Sequence, residues 1–150
     1  VEQLTELLEE EGEAFEASAD GRLPIQHAIE NDRIDALRLL LDHGASADAT
    51  LPTWDRRSPL HEAAARADAE VVTLLLERGA DANRLDRVGR SPLYEAVAHG
   101  RVASVRVLLE SGADPNLAPA GEALLDVARV EAIRVLLEEH GAPQGTKPRR

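Results

Sequence analysis

The sequence contains no cysteine among its 150 residues. This excludes a disulfide framework, a thiolate nucleophile and a thiolate metal site, and it leaves the redox compartment open. Aromatic residues are scarce: Phe15, Trp54 and Tyr94 amount to 2%. With so few rings the core must consist of Leu, Val, Ile and Ala, a mixture that suits packed helices better than a β-sandwich. No apolar run approaches bilayer-spanning length, and no signal peptide is visible. Cytoplasmic residence is the default expectation, although a chain that begins at Val1 leaves room for a removed leader or a longer parent protein. Lysine occurs once, at Lys147, so nearly all positive charge is arginine; this reads as compositional bias and suggests a bacterial source.

Positive charge is also short overall. The chain has 17 Lys and Arg against 28 Asp and Glu, a net charge of -11. A general nucleic-acid binder needs a basic surface that releases counterions from phosphates. The balance argues against nucleic acid as a partner and, for the same reason, against an anionic membrane. What the chain does have is a 43% apolar fraction, enough for the core of one domain.

The apolar residues are organised by an internal repeat. Ser58-Pro59-Leu60-His61-Glu62-Ala63 returns 33 residues later as Ser91-Pro92-Leu93-Tyr94-Glu95-Ala96. A looser copy, Leu23-Pro24-Ile25-Gln26-His27-Ala28, lies 35 residues upstream of the first. Gly44-Ala45, Gly79-Ala80 and Gly112-Ala113 each follow Pro24, Pro59 and Pro92 by 20 residues. A serine before proline opens a helix: its hydroxyl accepts a free backbone N–H, and proline fits the first helical position. Glycine after an apolar run closes one, because it adopts the left-handed conformation without steric cost. Between these landmarks the spacing predicts two helices. The first is short and alanine-rich, as in Leu60-His61-Glu62-Ala63-Ala64-Ala65. The second carries Val71, Val72, Leu74, Leu75 and Leu76, or Val102, Val105, Val107, Leu108 and Leu109, at helical spacing.

This pattern resembles the ankyrin repeat, whose signature is Thr-Pro-Leu-His-x-Ala at a period of 33. The match extends to the ending Leu-Leu-x-x-Gly-Ala-Asp-x-Asn, present as Leu75 to Asn83 and again as Leu108 to Asn116. The resemblance implies an all-α repeat solenoid over residues 1–142. It divides into an N-terminal cap (1–20), repeats at 21–53, 54–86 and 87–119, and a C-terminal cap (120–142), with a flexible tail at 143–150. Partial repeats at the ends suit capping. Val1 to Phe15 reads as a lone second helix, with Leu4, Leu7 and Leu8 before Gly12. Leu124-Leu125-Asp126-Val127-Ala128 opens a last repeat without proline. That repeat reaches Leu136-Leu137 early, as if the turn between its helices were lost, and closes at Gly141-Ala142.

Signatures of catalysis are missing. There is no phosphate-cradling glycine loop, no Gly-x-Ser-x-Gly elbow, no His-Glu-x-x-His and no calcium loop. Ser58 and His61 stand three residues apart, but a helix cap and the structural histidine of the motif account for them. None of the histidines (His27, His43, His61, His99, His140) pairs with another at helix-face metal spacing, so no metal or other cofactor is expected. His43 and His140 precede helix-ending glycines, where imidazole suits the negative end of the helix dipole. Tyr94 replaces the motif histidine and reads as core filling with an outward hydroxyl. Residues 1–20 hold eight acidic side chains, including Glu9-Glu10-Glu11, and no Lys or Arg. This is the solvated face of a cap or a patch for a basic partner.

The resemblance implies a non-catalytic protein-binding module that uses hairpin fingertips and the adjoining first helices of its concave surface. Transferred to this chain, the fingertips supply Asp20, Arg22, Trp54, Asp55, Arg57, Arg87, Val88 and Arg90. The first helices supply Glu30, Asn31, Ala65, Arg66, Ala98 and His99. The loop from Thr50 to Arg57 carries the two-residue excess and the single tryptophan, while Arg56, Arg57, Arg66, Arg84, Arg87 and Arg90 gather at the central fingers. The expected protein-binding set is therefore Trp54, Asp55, Arg57, Arg66, Arg87, Val88, Arg90 and His99. Arginine can hold a carboxylate with two hydrogen bonds and indole adds apolar area, so an acidic partner segment is favoured. The competing reading packs Trp54 along its own loop and pairs the arginines with Asp55 and Asp86. A monomer is expected, since charge pairs between copies contribute little and are screened by salt. The alternatives are a scaffold segment of a larger protein, or an enzyme or metal-dependent regulator on the same scaffold.

Overall fold

The computed structural model describes residues 23–50, 55–66 and 68–145. The expected N-terminal helix, the acidic run Glu9-Glu10-Glu11, Asp20, Arg22, Trp54 and the tail beyond residue 145 lie outside the described residues. Within them are eight helices in four consecutive pairs and no strand. The pairs are α1 (Pro24–Glu30) and α2 (Ile34–Asp42), α3 (Pro59–Arg66) and α4 (Ala69–Glu77), α5 (Pro92–Ala98) and α6 (Val102–Glu110), and α7 (Leu124–Val127) and α8 (Glu131–Glu139).

The landmarks act as the local chemistry requires. Pro24, Pro59 and Pro92 open α1, α3 and α5. Ser91 caps α5, its hydroxyl accepting the Tyr94 N–H at 3.1 Å. Ser58 differs: its hydroxyl lies 2.8 Å from His61 Nδ1, and its own N–H donates to that nitrogen at 3.1 Å. At the far end, Gly79 takes φ +87°. The N–H of Ala80 then reaches back to the carbonyl of Leu75 at 3.0 Å, and that of Gly79 to Leu76 at 3.0 Å. These paired bonds close the last turn of α4. The same bond joins Ala45 to Leu40, Ala113 to Leu108 and Ala142 to Leu137, each at 2.9 Å.

Stacking buries the apolar faces. Along one row α1 packs on α3, α3 on α5 and α5 on α7; along the other α4 packs on α6 and α6 on α8. Leu37, Leu60, Leu75, Leu93, Leu108, Leu124 and Leu137 are fully buried at these contacts. Ala63, Ala64 and Ala96 are buried between α3 and its neighbours, where their small size allows close approach. The loops are stacked by hydrogen bonds from repeat to repeat. Asp48 accepts the Asp81 N–H at 3.1 Å, and Asn83 accepts the Asp114 N–H at 2.7 Å. The Asp and Asn of the repeat ending thus hold adjacent loops in register.

The last repeat corrects one expectation. Its turn is not lost: three residues separate α7 from α8, as they separate α1 from α2 and α5 from α6. The shortening falls within the first helix, which has four residues in α7 where α1 and α5 have seven.

Candidate interaction surface

Two fingers, the loop segments that enter α3 and α5, meet at the centre of the described surface. In the finger entering α5, the Asp86 carboxylate accepts the N–H groups of Val88 and Arg90, both at 2.9 Å. The Asp86 N–H in turn donates to the Arg90 carbonyl at 2.9 Å. This closed turn leaves Val88 56% and Leu85 40% exposed. The finger entering α3 is tied to it by the Arg87 N–H, which donates to the Asp55 carbonyl at 2.9 Å. His61 adds a second tie. A carbonyl oxygen can only accept, so His61 Nε2, 3.0 Å from the Arg90 carbonyl, carries the proton. Its Nδ1 then accepts from Ser58, and the ring is a neutral strut. Burial pushes the His61 pKa down, against the raising effect of the Arg90 carbonyl bond.

Beside the fingers, α3 and α5 present a chain of charges. Glu95 is buried, its side chain only 3% exposed. Its carboxylate lies 3.4 Å from Arg57 Nη1 and 3.4 Å from Arg90 Nη1, with His99 Nδ1 at 3.7 Å. That His99 nitrogen also donates to the Glu95 carbonyl at 2.9 Å, closing the end of α5. Arg57 Nη2 stands 3.9 Å from Glu62, which is paired with Arg66 at 2.6 Å. The hydrogen bond from Arg66 to Glu62 raises the arginine pKa further. Arg57 Nε is buried and has no hydrogen-bond partner. Arg101 reaches across from α6's start, its Nε donating to the Ala65 carbonyl at 3.0 Å. Asp32, Arg57, Glu62, Arg66, Glu95, His99 and Arg101 line one open polar groove of about 590 Å³. Asp55, Arg57, Asp86, Arg87, Val88 and Arg90 line a smaller cleft of about 190 Å³ between the fingers. Arg57 belongs to both.

Of the residues expected from the sequence, Asp55, Arg57, Arg87, Val88 and Arg90 converge on the cleft, and Arg57, Arg66 and His99 on the groove. Trp54 is outside the described residues. Arg84 turns to the neighbouring loop, its Nη2 3.3 Å from the Thr50 hydroxyl. Of the two carboxylates that the competing reading gave the arginines, Asp55 and Asp86, Asp86 gives an oxygen to the backbone N–H groups of Val88 and Arg90. Glu95 takes Arg57 and Arg90, Glu62 takes Arg57 and Arg66, and sequence reasoning missed both. Each occupies the variable position of the repeat signature, where nothing in the spacing marks it. Asp32 and Arg101 were also missed. Tyr94 is half-buried and donates its hydroxyl to Glu122 at 2.7 Å; burial, aided by that bond, pushes its pKa up to about 12. Among the described residues no three His, Cys, Asp or Glu groups gather as a metal site, and no helix is long and apolar enough to cross a membrane.

Residues 46–119 match the family profile for ankyrin repeats in three copies, and residues 20–49 match the ankyrin-repeat profile. Together these matches span residues 20–119. The chain belongs to the ankyrin-repeat family. In general terms an ankyrin-repeat chain is a protein-interaction module. Its relatives include the B-cell lymphoma 3 protein homolog of Mus musculus, 39% identical over 62 residues, or 41% of this chain and 13% of that protein. Another is the E3 ubiquitin-protein ligase XBAT33 of Arabidopsis thaliana, 37% identical over 79 residues, or 53% of this chain and 15% of the ligase. The crystal structure of the ankyrin repeat domain of Bcl-3 superposes with a TM-score of 0.72 at 33% identity. That superposition covers 79% of this chain and 52% of the Bcl-3 chain. The ankyrin chain thus spans about half of the solved domain and under a sixth of these two curated relatives.

Proposed function

We propose that this ankyrin chain binds an acidic segment of a partner protein along its concave groove and central fingertips, acting as a monomer without a cofactor. Arg57, Arg66, Arg87, Val88, Arg90 and His99 form the described part of that surface, with Asp55 at the fingertip; Trp54, the preceding residue in the sequence, completes the set. The carrying observation is the state of Arg57. A guanidinium has five N–H donors, and charge-assisted bonds to carboxylate run to about 2.7–2.9 Å. Arg57 has contacts at only 3.4 and 3.9 Å, and its buried Nε has none. Its Nη donors sit at long range from Glu95 and Glu62 on a side chain 27% exposed, so a ligand carboxylate can approach them and complete their bonding. Charge supports the same reading. Residues 55–66 and 84–95 hold six arginines against four carboxylates, inside a chain of net charge -11.

A paired capture from cell lysate tests this, using the intact chain and a Trp54→Ala/Arg87→Glu variant whose circular dichroism matches it. The expected result is a protein held by the first bait and lost by the second, with cross-links from the fingertips to an acidic stretch. Equal retention by both baits would move the site elsewhere and sink the reading. A second reading, a scaffold segment of a longer protein, is favoured by the small share of each curated relative that the chain spans.

A further inference from the structure

Resting on that reading, we propose that the cleft between the two fingertips is an anchor pocket for one aliphatic side chain of the acidic segment. The anchor lies two residues from the carboxylate that Arg57 takes. Three large hydrophobics are exposed among the described residues, Leu85, Val88 and Val135, and two of them sit on the finger entering α5. Val88 lines the cleft itself. The other walls are the aliphatic stems of Arg57, Arg87 and Arg90, which present apolar length beneath charged heads. Asp86 at the cleft is turned inward, its carboxylate used by the Val88 and Arg90 N–H groups. Asp55 also lines the cleft, so its charged lining is three arginines against two aspartates, a cationic excess around an exposed valine. Its volume of about 190 Å³ suits one side chain, since small-molecule pockets run to about 300–1,000 Å³.

The spacing follows from the shared arginine. Arg57 lines both the cleft and the polar groove, so one ligand can fill the first while its carboxylate meets Arg57 in the second. In an extended peptide, side chains two residues apart project to the same face, about 7 Å from each other. The recognised element is thus an aliphatic residue, any residue, then Asp or Glu. The occupant is a partner peptide and not a basic or wholly polar one, because arginines outnumber aspartates around the cleft and Val88 supplies an apolar wall.

Fluorescence anisotropy with four labelled peptides tests this against the whole chain. The parent is a glycine-spaced acidic peptide with leucine and, two residues on, glutamate. The others replace leucine by alanine, glutamate by glutamine, or both. With the native chain, loss of the leucine should weaken binding by about tenfold, as expected when the open cleft buries somewhat over half of its three extra carbons. In a Val88→Asp variant the leucine and alanine peptides should bind within about twofold of each other. Val88 is more than half exposed, so the variant should fold, and a thermal melt checks that. Equal binding of leucine and alanine peptides to the native chain would overturn the anchor pocket. If the glutamine replacement still weakened binding, the acidic-segment reading would stand without it. Equal binding of glutamate and glutamine peptides would overturn that reading and the two-residue spacing with it.

Discussion

His61 and Glu95 are buried polar side chains that join neighbouring repeats. His61 accepts at Nδ1 and donates at Nε2, so only its neutral form fits. Its folded pKa lies below the usual 6.5. The unfolded chain therefore binds more protons as pH falls below about 6.5, and stability falls with it. Above that pH both states are neutral and the term vanishes. Urea titrations between pH 7.5 and 5.5 should show the midpoint dropping through the acid half of this range. A His61→Gln variant, already weaker at pH 7.5 by about 1–3 kcal/mol, should lose less over the same interval. Glu95 carries the opposite burden, since one carboxylate serves two guanidinium groups. Glu95→Ala would leave Arg57 and Arg90 facing each other without it, at a cost of about 2–3 kcal/mol. Glu95→Gln keeps an acceptor and should cost less. Urea unfolding at pH 7 separates the two.

At the scale of helices and loops, the sequence was legible where backbone geometry demands particular residues. Glycine at helix ends announces itself because few other residues fit its positive φ, and proline at helix starts because its ring presets φ where no N–H is needed. Gly79 shows what the requirement is worth. At φ +87° an added Cβ would meet nothing within 4 Å, so Gly79→Ala tests backbone strain without any clash. It should cost about 1–2 kcal/mol by urea unfolding. Gly100 should cost more, because its Cβ would also lie 3.3 Å from Val130 Cγ2. The four-residue helix α7 was misjudged for the converse reason: no proline or serine marks its start, and a missing turn and a shortened helix give the same early arrival at Leu136. The candidate surface was half legible. The position of Arg57, Arg87, Val88 and Arg90 on adjacent fingers follows from the ankyrin resemblance once the repeat period sets the register. Their partners do not, because Glu62 and Glu95 stand at a position the fold leaves free, and pairing across repeats depends on side-chain reach.

Over the whole molecule, stability is a sum of local terms, since each repeat touches only its neighbours. Equivalent lesions should then have unequal reach. Leu93 is fully buried in α5, which packs on α3, α6 and α7. Leu137 is equally buried in α8, which packs only on α6 and α7 among the described helices that it contacts appreciably. Leu93→Ala removes apolar contacts on both sides of a central repeat and should lower global stability by about 3–4 kcal/mol. Leu137→Ala should act mainly at the end. The short α7 gives the last repeat little helix to hold on with, so α7 and α8 should open together while α3 to α6 stay closed. Amide hydrogen exchange read by mass spectrometry distinguishes these patterns. In the Leu137→Ala protein, protection should collapse over residues 124–142 and survive over residues 59–110. In the Leu93→Ala protein it should fall along both stretches. A uniform loss in the Leu137→Ala protein would instead mean that the four pairs unfold as one unit, with interfaces between repeats strong enough to carry damage from the end to the centre. The proposed binding surface lies at that centre, on α3 and α5, so the same experiment tells whether changes at the C-terminal end reach the residues that would hold a partner.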